Sequence, residues 1–426
     1  MIINDYLQEI IAGESEIRSL FEWGARLRKE GKNPIDLSIG NPDIKPPEEY
    51  YRALEKILSE SRASSSNLHR YMPNSGYFET KNSLALGLSQ WLNLKIKPER
   101  VFITAGAANG LDVLLKTIIE PAVTYYRDTP QIRKGAAAKH EILKLDEVIT
   151  IAPYFMEYSN YIKNNQGKQI VVHSGKHFQL DISQIEKAIS NKTKAIILNF
   201  PNNPAGTLYS KDDLVSLAEL LKSKNKEFGI SITVIEDSSY GQILFGKKKL
   251  DSILPFYRHS FYVSSFSKSL GLAGERIGYF AAHPEIEDGD DDWDVLHQAL
   301  TINLRTRIVN APALQQRVIE KTGAFTKVNV REYEWRIDEL AAALKSLGFK
   351  FEKPEGGFYI FAKIPDQFKD ANHFKQAAHH GDEPLLFIPG TAFGGSKYKR
   401  YIRLSACVSN GEINRACSRL KEICKQ

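Results

Sequence analysis

The sequence predicts an α/β fold: a mostly parallel central sheet with helices on both faces, plus a smaller α/β domain built from the N- and C-terminal segments. Three observations predict it. Short apolar runs rich in β-branched and aromatic residues recur between residues 100 and 283, and each ends in small or polar residues. Amphipathic stretches such as "KDDLVSLAELLKSKNK" (211–226) separate them, which implies crossover connections and parallel strands. After about residue 320 the alternation gives way to a different pattern. A chain of 426 residues also exceeds the size at which one hydrophobic core stops growing.

Taken in order, "IDLSIGNPDIKPP" (35–47) is turn-rich and reads as a linker between lobes. The strand candidates are "RVFITAG" (100–106), "EVITIAP" (147–153), "KAIILNF" (194–200), "ITVIED" (232–237), "SFYVSSF" (260–266) and "IGYFAAH" (277–283). They are apolar on both alternating faces, as strands covered on both sides must be. Residues 121–146 form a basic, alanine-containing insertion without a strand pattern. A helix is expected over 326–347, followed by a hairpin-like pair of strands in "FKFEKPEGGFYIFAKI" that turns around Pro354 to Gly357. The expected division is a large domain over 50–320 and a small one from 1–49 with 321–426.

Composition narrows the function classes. Apolar residues make up 42% and charged residues 25%, which is typical of a globular protein. A net charge of +6 over this length gives no reason to expect a nucleic-acid partner, and the clusters "KSKNK" (222–226) and "GKKKL" (246–250) read as solvated faces. No run approaches a membrane span, and the first twenty residues lack the basic-then-apolar order of a signal peptide. Cys407, Cys417 and Cys424 read as reduced thiols, so the expected location is cytoplasmic. The acidic tract 287–294 lacks calcium-loop spacing, and no metal site is expected.

In a sheet of this kind ligands gather at the carboxyl ends of the strands. After the first run, "GAANGLDVLLKT" opens a helix with small residues, either to expose backbone N–H groups to a phosphate or only to pack closely. "PYFMEY" places Phe155 and Tyr158 at the mouth of the sheet, to stack on a flat ligand or simply to pack. "FPNNPAG" fixes Asn202 and Asn203 in a turn. "DSSYG" ends an apolar strand with Asp237, as a cap or as the partner of a buried cation, and Tyr240 follows three residues on. "SSFSKSLGLAGERIG" (264–278) then supplies Ser265, Ser267, Lys268 and Arg276 among small residues. Each feature alone has a bland explanation. Together they present an anion cradle, an aromatic plate, an amide, a carboxylate and a lysine, and that set fits pyridoxal phosphate, with the lysine as Schiff-base partner of the aldehyde.

The chain also resembles the class I/II aminotransferases of fold-type I, the aspartate aminotransferase superfamily. The family's S-x-S-K-x(7)-R-x-G block stands as "SFSKSLGLAGERIG", its N-x-P-N-N-P-T-G as "NFPNNPAG" and its D-x-x-Y as "DSSY". The likeness runs from "LSIGNPD" near residue 37 to "YIRLSA" near 406. It implies pyridoxal 5'-phosphate as cofactor and Lys268 as the lysine that holds it and moves the proton. Asp237 would pair with the ring nitrogen, Asn203 and Tyr240 with the ring's phenolic oxygen, and Phe155 would stack on the ring. Gly106, Ala107, Ala108, Ser265 and Arg276 would cradle the phosphate. Tyr71 in "YMPNSG" would reach the phosphate of a neighbouring subunit, which implies a homodimer. Arg403 would grip the substrate α-carboxylate, with Gly40 and Asn203 close to it. Two departures, "PAG" for "PTG" and "ETK" (79–81) for "ELR", remove no catalytic group.

The implied reaction moves an amino group from an L-amino acid to a 2-oxo acid. The alternative is another reaction that starts from the same carbanion, such as carbon–sulfur β-elimination, decarboxylation or oxidation of an amino acid. A non-catalytic sensor is disfavoured by the short N-terminal segment and the intact residue set. Arg305 and Arg307 in "INLRTRIVNAP" are candidates for reading a second carboxylate, with a plain surface role equally open.

Overall fold

The computed structural model describes residues 16–63, 67–120, 145–286, 293–323 and 325–425, so most of the insertion at 121–146 and of the acidic tract at 287–294 lies outside the described residues. A short strand β1 (Ile35–Asp36) precedes seven strands that form one sheet: β2 (Val101–Thr104), β3 (Glu147–Ala152), β4 (Lys168–His173), β5 (Thr193–Asn199), β6 (Thr233–Asp237), β7 (Ser260–Ser265) and β8 (Gly278–Ala282). Four more follow, β9 (Tyr359–Lys363), β10 (Leu385–Leu386), β11 (Ile388–Pro389) and β12 (Tyr401–Ser405). The large sheet has the order β2-β8-β7-β6-β5-β3-β4. Every pairing in it is parallel except those of β8, which runs antiparallel to both β2 and β7.

Alternation along the strands explains why the runs are apolar throughout. In β5, Ile196 and Leu198 face one buried cluster and Ala195 and Ile197 the opposite one; in β8, Tyr279 and Ala281 divide from Phe280 and Ala282 in the same way. The first cluster includes Leu84, Leu88, Leu214 and Leu217 from helices Phe78–Leu92 and Lys211–Phe228. The second includes Leu111, Leu114, Ile162 and Leu300 from helices Ala107–Ile118, Tyr158–Asn164 and Trp293–Ile308. The sheet is therefore dry on both sides, as parallel strands require. Helix Lys211–Phe228 starts where Ser210 accepts the amide of Asp213 (3.1 Å) and ends at Gly229 in the left-handed region.

A third cluster joins Ile35 and Leu37 to residues from Val328 to Ile423. It packs helices Val330–Ser346 and Asn410–Lys425 on β9 and β12. β1 pairs in parallel with β10, so the start of the chain is stitched into the C-terminal half.

Three local expectations change. The stretch 35–47 is more than a linker: it opens with β1, and Ser405 N donates to Leu37 O (2.8 Å) beyond it. The hairpin at 349–364 shrinks to one bridge between Lys350 and Lys363, because Glu355 N and Gly356 N donate instead to Gly206 O (2.8 and 3.2 Å) across the molecule. Helix 326–347 begins only at Val330. β4 was not expected; its "KQIVVH" has too short an apolar core to stand out as a run.

The 39–47 stretch is fastened by one ion pair. Arg336 Nη1 donates to both oxygens of Asp43 (2.7 and 2.8 Å), and its Nε donates to Asn410 Oδ1 (2.8 Å). Removing the carboxylate leaves the enclosed guanidinium with only the longer contact to Glu332 (3.5 Å) as counter-charge. Asp43→Ala is expected to destabilise the protein by about 2 kcal/mol, seen as a lower midpoint in thermal unfolding; an unchanged midpoint would refute the role given to this pair.

Candidate active site

The carboxyl ends of β2, β3, β5, β6 and β7 share one edge with the start of β8, because Thr104 and Ser265 both sit opposite Gly278. Beyond this edge lies a cavity of about 310 Å³, within the size range of small-molecule sites. The structure brings to it Gly40, Ala107, Ala108, Phe155, Asn203, Asp237, Tyr240, Ser265, Lys268, Arg276 and Arg403, with Gly106 immediately behind Ala107.

Asp237 closes β6 and points to the cavity, while its neighbour Glu236 faces the opposite way and accepts from Ser252 Oγ (2.7 Å). Burial raises the Asp237 carboxyl above its ordinary value, and hydrogen bonds from Tyr158 Oη (2.6 Å) and Ser239 Oγ (2.7 Å) act against that rise. No cation among the described residues is ion-paired with it, so a positively charged ligand atom is what would hold it ionised.

Lys268 sits on the single turn Phe266–Ser269 directly after β7. A little of its surface reaches the cavity, but protein encloses the amine on its other sides. Burial pushes its pKa down to about 8; the positive charges of Arg403 and Arg276 push the same way, and Cys407 opposes. Its Nζ donates to the carbonyl of Gly40 (2.8 Å). Position 40 admits no side chain, since a Cβ there would lie 1.7 Å from the Tyr359 hydroxyl.

At the other end, Gly106 precedes helix Ala107–Ile118 with φ +85°, a conformation that favours glycine. A Cβ on it would stand 2.6 Å from Arg276 Nη2, so the glycine lets the arginine close on the helix start. Arg276 itself lies in the left-handed region (φ +52°), and its guanidinium donates to Ala273 O (2.9 Å) and Ala105 O (3.2 Å). Ser265 is buried beside it as the last residue of β7. A helix N-terminus, a hydroxyl and a guanidinium converge here on one anion-sized space.

Arg403, on β12, is enclosed between the rings of Tyr359 (4.3 Å) and Phe393 (5.0 Å). Its Nη1 donates to Asn203 Oδ1 (3.0 Å) and its Nη2 to Ser38 O (2.6 Å), leaving a buried Nε without a partner. Tyr240 Oη stands 3.4 Å from Tyr359 Oη, and burial keeps the Tyr240 phenol protonated.

Tyr71 is not brought to the cavity by its own chain; it is 89% exposed. Arg305 is exposed and Arg307 is committed to Asp112 and to Asn165 Oδ1 (3.1 Å), and neither lines the cavity. The three cysteines are unbridged, and burial pushes the Cys407 thiol up to about 12. Sequence reasoning missed Tyr359, Tyr161, Ser239 and Asn199 as lining residues. Asn199 at a strand end carried a readable signal, and its Oδ1 accepts the amide of Asn203 (2.8 Å). Tyr359 was hidden in what read as a hairpin arm.

The donor set fits pyridoxal phosphate: a buried carboxylate lacking a cation, an amine with a lowered pKa and a glycine-lined anion cradle occupy one cavity. Acylation of Lys268 in the apoprotein by an amine-directed reagent should rise with pH to a midpoint near 8, because only the neutral amine attacks. Peptide-resolved labelling at several pH values reads it, and a midpoint near that of an exposed lysine would contradict the enclosure described.

The model of the family "Aminotransferase class I and II" matches residues 32–420. A probable aspartate aminotransferase of Methanocaldococcus jannaschii is 27% identical over 91% of this chain and 93% of its own length. An aspartate aminotransferase of Bacillus subtilis is likewise 27% identical, over 93% of this chain and 92% of its own. The crystal structure of an amino transferase from Eubacterium rectale superposes with a TM-score of 0.85 at 30% identity, covering 100% of this chain and 99% of that one. With the motifs, the sheet and the cavity in agreement, the chain belongs to the class I and II aminotransferases, enzymes that use pyridoxal phosphate to move amino groups.

Proposed function

We propose that this aminotransferase works through Lys268 as cofactor-holding lysine and proton carrier, Asp237 as partner of the ring nitrogen, and Arg403 as anchor of the substrate α-carboxylate. The observation that carries the reading is the enclosure of a lysine, a carboxylate and an arginine around one cavity. Bound pyridoxal phosphate supplies an electron sink for the α-carbon. A lysine pushed down to about 8 carries enough neutral amine near neutral pH to attack an aldehyde and to take a proton. Gly106, Ala107, Ala108, Ser265 and Arg276 are assigned to the phosphate, Asn203 and Tyr240 to the phenolic oxygen, and Phe155 to the ring face. Nη1 and Nη2 of Arg403 each give one hydrogen to the protein and keep a second for a carboxylate.

The substrates we assign are an L-amino acid and a 2-oxo acid. Relatives named for aspartate raise an acidic substrate as the natural first trial. Among the described lining residues the cations are Lys268, Arg276 and Arg403, so a second carboxylate would call on a residue from outside this cavity. Arg305 is the residue we assign to that task.

We further propose a homodimer. Tyr71 (89% exposed), Phe78 (62%) and Leu86 (57%) are exposed large side chains close in sequence, and the 71–78 turn is tied to the end of helix Trp293–Ile308 by Asn74 Nδ2 to Val309 O (3.0 Å). Exposed apolar side chains that form one patch mark protein contacts. For the two-domain division at residues 49 and 320 the support is that the third cluster is built mostly from residues after 320, with Tyr240, Ile243 and Phe245 reaching into it from the large domain, and unbridged cysteines fit a cytoplasmic location. Among the described residues no helix is long and apolar enough to cross a membrane.

Borohydride reduction of the holoenzyme followed by peptide mapping is expected to place a pyridoxyl group on Lys268; an adduct elsewhere would sink the assignment. Light scattering is expected to return twice the chain mass, and Phe78→Glu with Leu86→Glu to return the chain mass alone. A monomeric parent protein would remove the dimer.

A further inference from the structure

Helix Tyr158–Asn164 presents two tyrosines to the site, one turn apart. The first is spent: Tyr158 Oη donates to Asp237. The second, Tyr161, lines the cavity together with Ala107, Ala108, Leu111 and Arg276. Its ring packs on the apolar cluster that holds Leu111 and Ile162. Its backbone is satisfied, with the amide donating to Glu157 O (3.0 Å) and the carbonyl accepting from Asn165 Nδ2 (2.9 Å). Its hydroxyl bonds to no protein atom among the described residues. Tyr257 and Tyr398, by contrast, donate to Ile232 O (2.6 Å) and Ala152 O (2.8 Å), and the unpartnered hydroxyls of Tyr279 and Tyr333 belong to residues that do not line this cavity.

Burial raises the pKa of this hydroxyl, the carboxylates of Glu157, Asp237 and Asp112 push the same way and the Arg276 guanidinium opposes, so it stays a neutral donor. Tyr161 lines the same cavity as Ala107, Ala108 and Arg276, three residues of the assigned anion cradle. Arg276 Nη1 and Nη2 each give one of their two hydrogens to a backbone carbonyl, which leaves one on each for an anion.

We propose that Tyr161 is a further cofactor-binding residue, donating its hydroxyl hydrogen to the phosphate of bound pyridoxal phosphate. The ring supplies apolar packing beside Leu111, and the hydroxyl adds a neutral donor to a cradle otherwise made of backbone, serine and arginine. This rests on the assignment of the phosphate to the Arg276 end of the cavity.

The test compares apoprotein of the parent, Tyr161→Phe and Arg276→Gln in equilibrium titrations with pyridoxal 5'-phosphate and with pyridoxal, which lacks the phosphate. Circular dichroism verifies that each is folded. A hydrogen bond to a charged group predicts that Tyr161→Phe weakens pyridoxal 5'-phosphate about 10-fold or more and leaves pyridoxal within about twofold. Inorganic phosphate should also compete less well for the variant than for the parent. If Arg276→Gln loses the preference for the phosphorylated form while Tyr161→Phe keeps it, the anion site stands and the role of Tyr161 falls. Equal losses for both ligands would make Tyr161 a ring contact and overturn the proposal. If neither substitution alters the preference, the phosphate assignment fails and takes the proposal with it.

Discussion

Protein rather than water surrounds the amine of Lys268, and much of the site follows from keeping it so. An ammonium is costly where water is scarce, so the group spends part of its time neutral at pH values where an exposed lysine is almost wholly charged. Two arginines reinforce this without touching it, since their positive charges also disfavour a third. One hydrogen bond among the described residues steadies the amine, to the carbonyl of Gly40, and that carbonyl belongs to a stretch pinned from behind by Asp43 and Arg336. The ion pair in the outer wall and the nucleophile in the centre are thus parts of one arrangement.

The sheet makes the gathering cheap. Parallel strands deliver their carboxyl ends to one edge, so residues scattered from Gly106 to Arg276 meet without long excursions of the chain. The antiparallel strand β8 brings Arg276 back to that edge from the opposite direction. The remaining face comes from β12 and from the segment around Gly40, both packed in the third cluster. The cavity therefore lies between clusters, and Arg403 reaches Asn203 across that boundary.

How much of this was legible depended on whether a residue is specified by its neighbours in sequence or by its neighbours in space. Lys268, Asp237 and Arg276 could be read because strand ends and short spacings carry them, and the strands themselves stood out as runs apolar on both faces. Strand β4 did not, since an edge strand half in contact with solvent needs fewer apolar residues. Tyr359 was quoted only as part of a hairpin; its role depends on the close approach of Gly40, Tyr240 and Arg403, which no local pattern encodes. The unspent hydroxyl of Tyr161 is a property of packing too. The hairpin reduces to one bridge, and its turn is held by distant partners, Gly206 and Leu244, that no local pattern encodes.

Cys407 shows what solvent exclusion does to a second nucleophile beside the first. The same dryness that pushes Lys268 down to about 8 pushes this thiol up to about 12. For a cationic acid burial enlarges the reactive fraction, and for a neutral acid it shrinks it. At pH 7 these values leave about a tenth of the lysine as free amine and only about one thiol in 10⁵ as thiolate. Cys407 is also absent from the lining of the cavity that holds Lys268. Placement and charge thus work in the same direction, since the sign of the charge that each group must give up or acquire also favours nitrogen over sulfur.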